Sequence, residues 1–156
     1  MLLLRSLFWT VLLPGMIAGY IPWRWFGLAH TRVSLTNPLH LVGLALIVAG
    51  AVLLGTCIWE FARRGRGTLA PVDPPTTLVV QGLYRYVRNP MYLSVSLILL
   101  GEALLARSRA LFVYWVVCFV VANLFVMLYE EPALQRRFGE SYLRYRQQVG
   151  RWLPRP

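Results

Sequence analysis

The sequence predicts an all-α integral membrane protein: a polytopic bundle of about four transmembrane helices, closed by a C-terminal interfacial helix on the cytoplasmic face. Three observations carry that expectation. Hydrophobic residues fill 58% of the 156 positions and charged ones only 14%, with a mean hydropathy of +0.56; this balance excludes a water-soluble globule of such length. The apolar residues gather into four stretches near the roughly 20 residues that cross about 30 Å of hydrocarbon. The sixteen cationic residues are all arginine, and they are shared unevenly between the segments separating those stretches. A single integral membrane domain, residues 1–156, accommodates the whole chain.

The first stretch, Leu2 to Ile21, has Arg5 ahead of its apolar core and Ala18-Gly19 near its end, as a secretory leader would, but is expected to act as an anchor. The second runs from Leu39 to Trp59. The third, Met91 to Ala106, is short: at about 1.5 Å per residue it reaches only about 24 Å, so Tyr86 to Pro90 is expected to be partly embedded or the bilayer thinned. The fourth runs from Ala110 to Tyr129. Only Arg107-Ser108-Arg109 joins it to the third, which forces an antiparallel helical hairpin. The start of the third span and the end of the fourth therefore lie at one level.

Arginine placement orients the bundle. Arg5, then Arg63, Arg64, Arg66, Arg85 and Arg88, then Arg136, Arg137, Arg144, Arg146, Arg151 and Arg155 fall on one side, against Arg24, Arg32, Arg107 and Arg109 on the other. Twelve against four places both termini in the cytoplasm, in a bacterial inner membrane. The same bias accounts for the net charge of +10 without a nucleic-acid partner. Cys57 and Cys118 lie inside apolar runs and read as small buried hydrophobes.

Two segments meet at the cytoplasmic end of the hairpin. The first runs Gly82-Leu83-Tyr84 to Arg88-Asn89-Pro90-Met91-Tyr92, with Pro90 suited to a first helical turn and Gly82 to close approach. The second opens with Glu130, Glu131 and Pro132, followed by an apolar stripe of Leu134, Phe138, Tyr142, Tyr145 and Val149, expected to form one interfacial helix. Backbone amides, aromatic faces and a carboxylate suit a flat-ringed cationic molecule. S-adenosylmethionine is one such ligand; the residues leave other nucleotides open, while the lack of a Gly-rich phosphate loop disfavours phosphate-dominated ones.

Gly82-Leu83-Tyr84, Arg88-Asn89-Pro90-Met91-Tyr92, Glu130-Glu131, Phe138-Gly139, Tyr142, Tyr145, Val149, Arg151 and Pro154 together resemble the signature of the isoprenylcysteine carboxyl methyltransferase and phospholipid methyltransferase family of membrane enzymes, over residues 69–154. The resemblance implies an S-adenosylmethionine-dependent methyltransferase. Its cofactor would be lined by Thr76, Thr77, Leu78, Val79, Gly82, Tyr84, Asn89, Pro90, Met91, Tyr92 and Glu130, and a lipid-like or lipidated acceptor would enter from the bilayer. Two departures bear on the acceptor. The family's Arg-His-Pro reads Arg88-Asn89-Pro90, which removes an imidazole, and Val126 stands where the eukaryotic carboxyl methyltransferases carry an arginine.

Two catalytic parts follow. Glu131 is a candidate base for an amine or thiol acceptor, and Arg88 a candidate anchor for an acceptor's phosphate or carboxylate. His30 and His40 lie across the bilayer from this site, and no metal is expected. Glu102, near the outer end of the third span, is expected to pair with Arg107 or Arg109. The alternative reading is a non-catalytic membrane protein, an assembly factor or small transporter, in which the same residues only cap helices.

Overall fold

A computed structural model describes residues 12–64, 78 and 80–155. Among them every element is helical, and one isolated parallel bridge pairs Val87 with Gly150. The backbone is helical from residue 12, winds more widely over Met16–Tyr20, and continues as α1 (Ile21–Trp25). The expected stop at Ile21 is therefore passed. Pro22 lacks an N–H but sits in the first turn of α1, after the wide π-turn, where that loss is tolerated. Gly27, at φ +71, ends the segment. Residues 1–11 lie outside the described part.

Helix α2 (Pro38–Arg64) starts with proline in its first turn, and the Asn37 side chain caps it by accepting from Leu39 N–H at 3.0 Å. Ser34 N–H donates to Nδ1 of the buried His40, which ties down the preceding loop. Helix α3 (Pro90–Ala106) and α4 (Arg109–Phe125) form the expected hairpin. Arg107 takes the left-handed conformation, Ser108 N–H returns to the Ala103 carbonyl, and the Ser108 hydroxyl accepts from Leu111 N–H.

Small residues set the helix spacing. A Cβ on Gly43 would come within 2.7 Å of the Gly101 carbonyl, and one on Gly50 within 2.6 Å of the Ser94 carbonyl. As one index rises by seven the other falls by seven, an antiparallel register in which backbones touch. On its other side α3 is fastened to α4 by Trp115 Nε1–H donating to the Ser96 hydroxyl at 2.8 Å. Tyr114 of α4 in turn donates to the Ile17 carbonyl. The short α3 is thus the central helix, with Leu99, Gly101, Glu102, Ala103 and Leu105 buried.

By length and composition, Pro38–Glu60 and Arg109–Phe138 are apolar helices long enough to cross a membrane, whereas α3 is apolar but shorter. The second of these overruns the expected end at Tyr129. After α4 the chain winds as a π-turn over Val126–Glu130 and passes directly into α5 (Glu131–Phe138). Pro132 starts no separate helix because the wide turn before it absorbs its missing donor.

The expected single interfacial helix is also corrected. Gly139, at φ +50, divides it into α5 and α6 (Glu140–Gln148). Its apolar stripe faces the protein: Tyr142, Tyr145 and Val149 form a buried cluster against which Leu78, Leu134 and Phe138 pack. Glu102 makes no ion pair with Arg107 or Arg109 among the described residues. It is 6% exposed, whereas both arginines stand exposed in the turn. Cys57 is fully buried and unpaired.

Candidate functional site

The hairpin delivers the two segments to one place. Pro90 starts α3 immediately after Asn89, so the tyrosine one turn in, Tyr92, points toward the end of the α4 path. There its hydroxyl donates to Glu130 Oε2 at 3.2 Å. These residues are thirty-eight apart in sequence, and the three-residue turn at the far end of the hairpin brings them together. Tyr92 thereby holds the Glu130 carboxylate through Oε2.

Glu131 is engaged on both oxygens. Arg88 Nη1 donates to Oε1 at 2.8 Å, and Arg151 clasps the carboxylate with Nε at 2.7 Å and Nη2 at 2.9 Å. The Arg88 and Glu131 side chains are 7% and 8% exposed and Arg151 25%. The hydrogen bond to Glu131 is the main cause that pushes the Arg151 guanidinium above its ordinary value. Two flanking cations favour the charged carboxylate and oppose proton uptake. The Glu131 carboxylate is thereby held between two guanidiniums.

Arg88 is engaged through one nitrogen. Its Nη1 reaches both Glu131 and the Tyr142 hydroxyl, at 3.3 Å for the latter. Its Nε is buried without a partner among the described residues, a donor left for something outside them. Arg88 N–H donates to the Gly150 carbonyl at 2.9 Å, and the buried Asn89 donates from Nδ2 to the Arg151 carbonyl at 3.4 Å. The C-terminal segment is thus sewn onto the strand-like residues before α3. Trp152 extends the seam by donating to the Asn123 side chain on α4 at 3.0 Å.

Tyr84 sits in the 3₁₀ turn Gly82–Arg85, and its carbonyl accepts from the Tyr145 hydroxyl at 2.6 Å. Burial above all, then Cys57, Glu130, Tyr145 and Glu60 in that order, pushes its phenol well above the ordinary value. Burial raises the Tyr145 phenol as well. Tyr84 therefore stands within electrostatic reach of Glu130, as Tyr92 stands in hydrogen-bond contact with it.

Of the residues expected at the site, the structure gathers Leu78, Tyr84, Arg88, Asn89, Pro90, Tyr92, Glu130 and Glu131 around this junction. Gly82 faces Glu60 of α2, and Met91 lies in the first turn of α3 with its carbonyl accepting from the Ser94 hydroxyl. Thr76, Thr77 and Val79 lie outside the described residues. Sequence reasoning placed Arg151, Tyr142 and Tyr145 in the family signature but did not foresee their contacts with Glu131, Arg88 and the Tyr84 carbonyl. It also missed Glu60, although an acid at the cytoplasmic end of an apolar span was the signal used for Glu130. Among the described residues no cluster of His, Cys, Asp and Glu could hold a metal ion.

Comparison with known proteins agrees with this geometry. Residues 38–141 match the profile of the phospholipid methyltransferase family. A 66-residue stretch, 42% of the chain, is 35% identical to the phosphatidylethanolamine N-methyltransferase of Pyricularia oryzae, of which it spans 7%. A 63-residue stretch, 40% of the chain, is 40% identical to an uncharacterised protein of Haemophilus influenzae and covers all of it. The matched span holds both helices of the hairpin, the Tyr92–Glu130 contact and the Arg88–Glu131 pair, and the chain belongs to the phospholipid methyltransferase family.

Proposed function

We propose that the chain is an S-adenosylmethionine-dependent methyltransferase that modifies a lipid acceptor at the cytoplasmic face of a bacterial inner membrane, with four spans and both termini inside. The observation that carries this reading is the hydrogen bond from Tyr92 to Glu130, in a chain that belongs to this family.

The residues fit the donor. Glu130 offers a carboxylate to its ribose hydroxyls or ammonium, and Tyr92 holds that carboxylate through Oε2. Tyr84 and Tyr92 supply aromatic surface, which attracts an onium group. By the family resemblance, Thr76, Thr77, Leu78, Val79, Gly82, Asn89, Pro90 and Met91 would line the donor as well. When bound, the donor supplies an electrophilic methyl carbon. The protein's contribution is then to hold an acceptor atom in line at about 3–3.5 Å and to exclude water. The buried Nε of Arg88, without a partner among the described residues, suits an acceptor's phosphate oxygen. Glu131 keeps Arg88 and Arg151 in place.

Membranes containing the protein, incubated with methyl-labelled donor, should place label in the lipid extract. Label confined to protein or to a volatile product would overturn the lipid assignment.

A further inference from the structure

Glu60 lies near the end of α2, outside the two segments that form the junction. Its carboxylate reaches across to the turn Gly82–Arg85, where Leu83 N–H donates to Oε2 at 3.4 Å. A Cβ on Gly82 would overlap that carboxylate, and Gly82 holds φ +62. The position thus needs glycine twice over, for its left-handed backbone and for the space that Glu60 occupies. On the trailing side of the same turn, the Tyr145 hydroxyl holds the Tyr84 carbonyl at 2.6 Å. A carboxylate from a membrane helix takes a leading amide, and a phenol from α6 takes the carbonyl behind it.

At 3.4 Å the amide contact alone is weak; the fit of the carboxylate into the glycine's empty side is the stronger constraint. We propose that Glu60 is a positioning residue, which clamps the Gly82–Arg85 turn to α2 and so fixes where Tyr84 stands beside Glu130. Its consequence for donor affinity rests on the methyltransferase reading above, whereas the clamp itself needs no ligand.

Hydrogen exchange of the full chain in detergent reads the clamp. Glu60→Ala should speed exchange over residues 82–86 by about tenfold, while Glu60→Gln, which keeps an acceptor oxygen, should stay within about threefold of the parent protein. Titration with S-adenosylhomocysteine reads the consequence: about tenfold weaker binding for Glu60→Ala, with Glu60→Gln rescuing it. Gly82→Ala should be more damaging in the parent than in the Glu60→Ala background, because removing the carboxylate leaves only the backbone strain. Should Glu60→Ala fail to fold, the shorter Glu60→Asp takes its place, with exchange again faster than in the parent.

Unchanged exchange in Glu60→Ala, or in Glu60→Asp where that takes its place, or Glu60 and Gly82 effects that multiply independently, would overturn the clamp. If the parent protein binds no S-adenosylhomocysteine, the donor reading and the affinity consequence fail together, and exchange still decides the clamp.

Discussion

Replacing Glu131 by Gln removes the charge that holds two guanidiniums. Three hydrogen bonds of 2.7–2.9 Å are at stake, between side chains that are 8% exposed for Glu131, 7% for Arg88 and 25% for Arg151. Cutting one side of a buried pair costs about 3–5 kcal/mol, because the remaining charge is stranded out of water. Water screens the more open Arg151, which places the expected loss near the lower end, about 3 kcal/mol. Arg88→Met should cost about 2 kcal/mol, since Glu131 keeps its clasp from Arg151, and Arg151→Met about 1 kcal/mol. Reversible unfolding in mixed micelles, titrated with a denaturing detergent, measures all three. The reasoning is refuted if Glu131→Gln falls within about 1 kcal/mol of the parent or if Arg151→Met is the worst of the set.

Tyr92→Phe frees Glu130 without adding bulk and should weaken S-adenosylhomocysteine binding about tenfold by calorimetry, with unfolding changed by no more than about 1 kcal/mol. Gly139→Ala meets nothing within 4 Å, so its cost is the backbone's alone, at φ 50 and ψ −126, outside the left-handed helical region; unfolding should show a loss of about 2–3 kcal/mol. Gly101→Leu drives a side chain into Gly43 and Ile47 and should cost more than about 2 kcal/mol in the same assay by forcing α2 off α3. Burial raises the phenols of Tyr84 and Tyr145. The share of stability that the Tyr145 phenol contributes, read as the difference between the parent and Tyr145→Phe, should therefore be level below about pH 10, the ordinary phenol value, and shrink above it as unfolded chains ionise first; a difference that shrinks well below that value would contradict the burial.

Hydropathy located the start of α2, both ends of α3 and the start of α4 to within a residue, because the apolar runs begin at Asn37-Pro38, Asn89-Pro90 and Ser108; it stopped α2 at Trp59, five residues short of its end at Arg64. The turn at Arg107 made the Tyr92–Glu130 contact legible, since a three-residue connection leaves one geometry. Helix ends were less legible. Pro22 and Pro132 look like breaks in a sequence, yet each is preceded by a π-turn that lets the helical path continue. The stripe Leu134 to Val149 was misassigned to lipid because amphipathicity reports that a face is buried and not what buries it. Glu60 and Arg151 escaped for a related reason: each acts through a partner distant in sequence, Gly82 and Glu131, and no local spacing announces such a pair. The Gly43–Gly101 and Gly50–Ser94 register did leave a trace, two small pairs each seven residues apart.

The account stands on a donor site built where Tyr84, Tyr92 and Glu130 converge, and calorimetric titration of the purified chain with S-adenosylhomocysteine, in detergent and in lipid, tests it most directly. The parent protein should bind saturably at one site per chain, Glu130→Ala should abolish that binding, and Glu102→Ala, a buried acid elsewhere on α3, should leave it intact. Saturable binding that survives Glu130→Ala unchanged, or no binding in either medium, would contradict it.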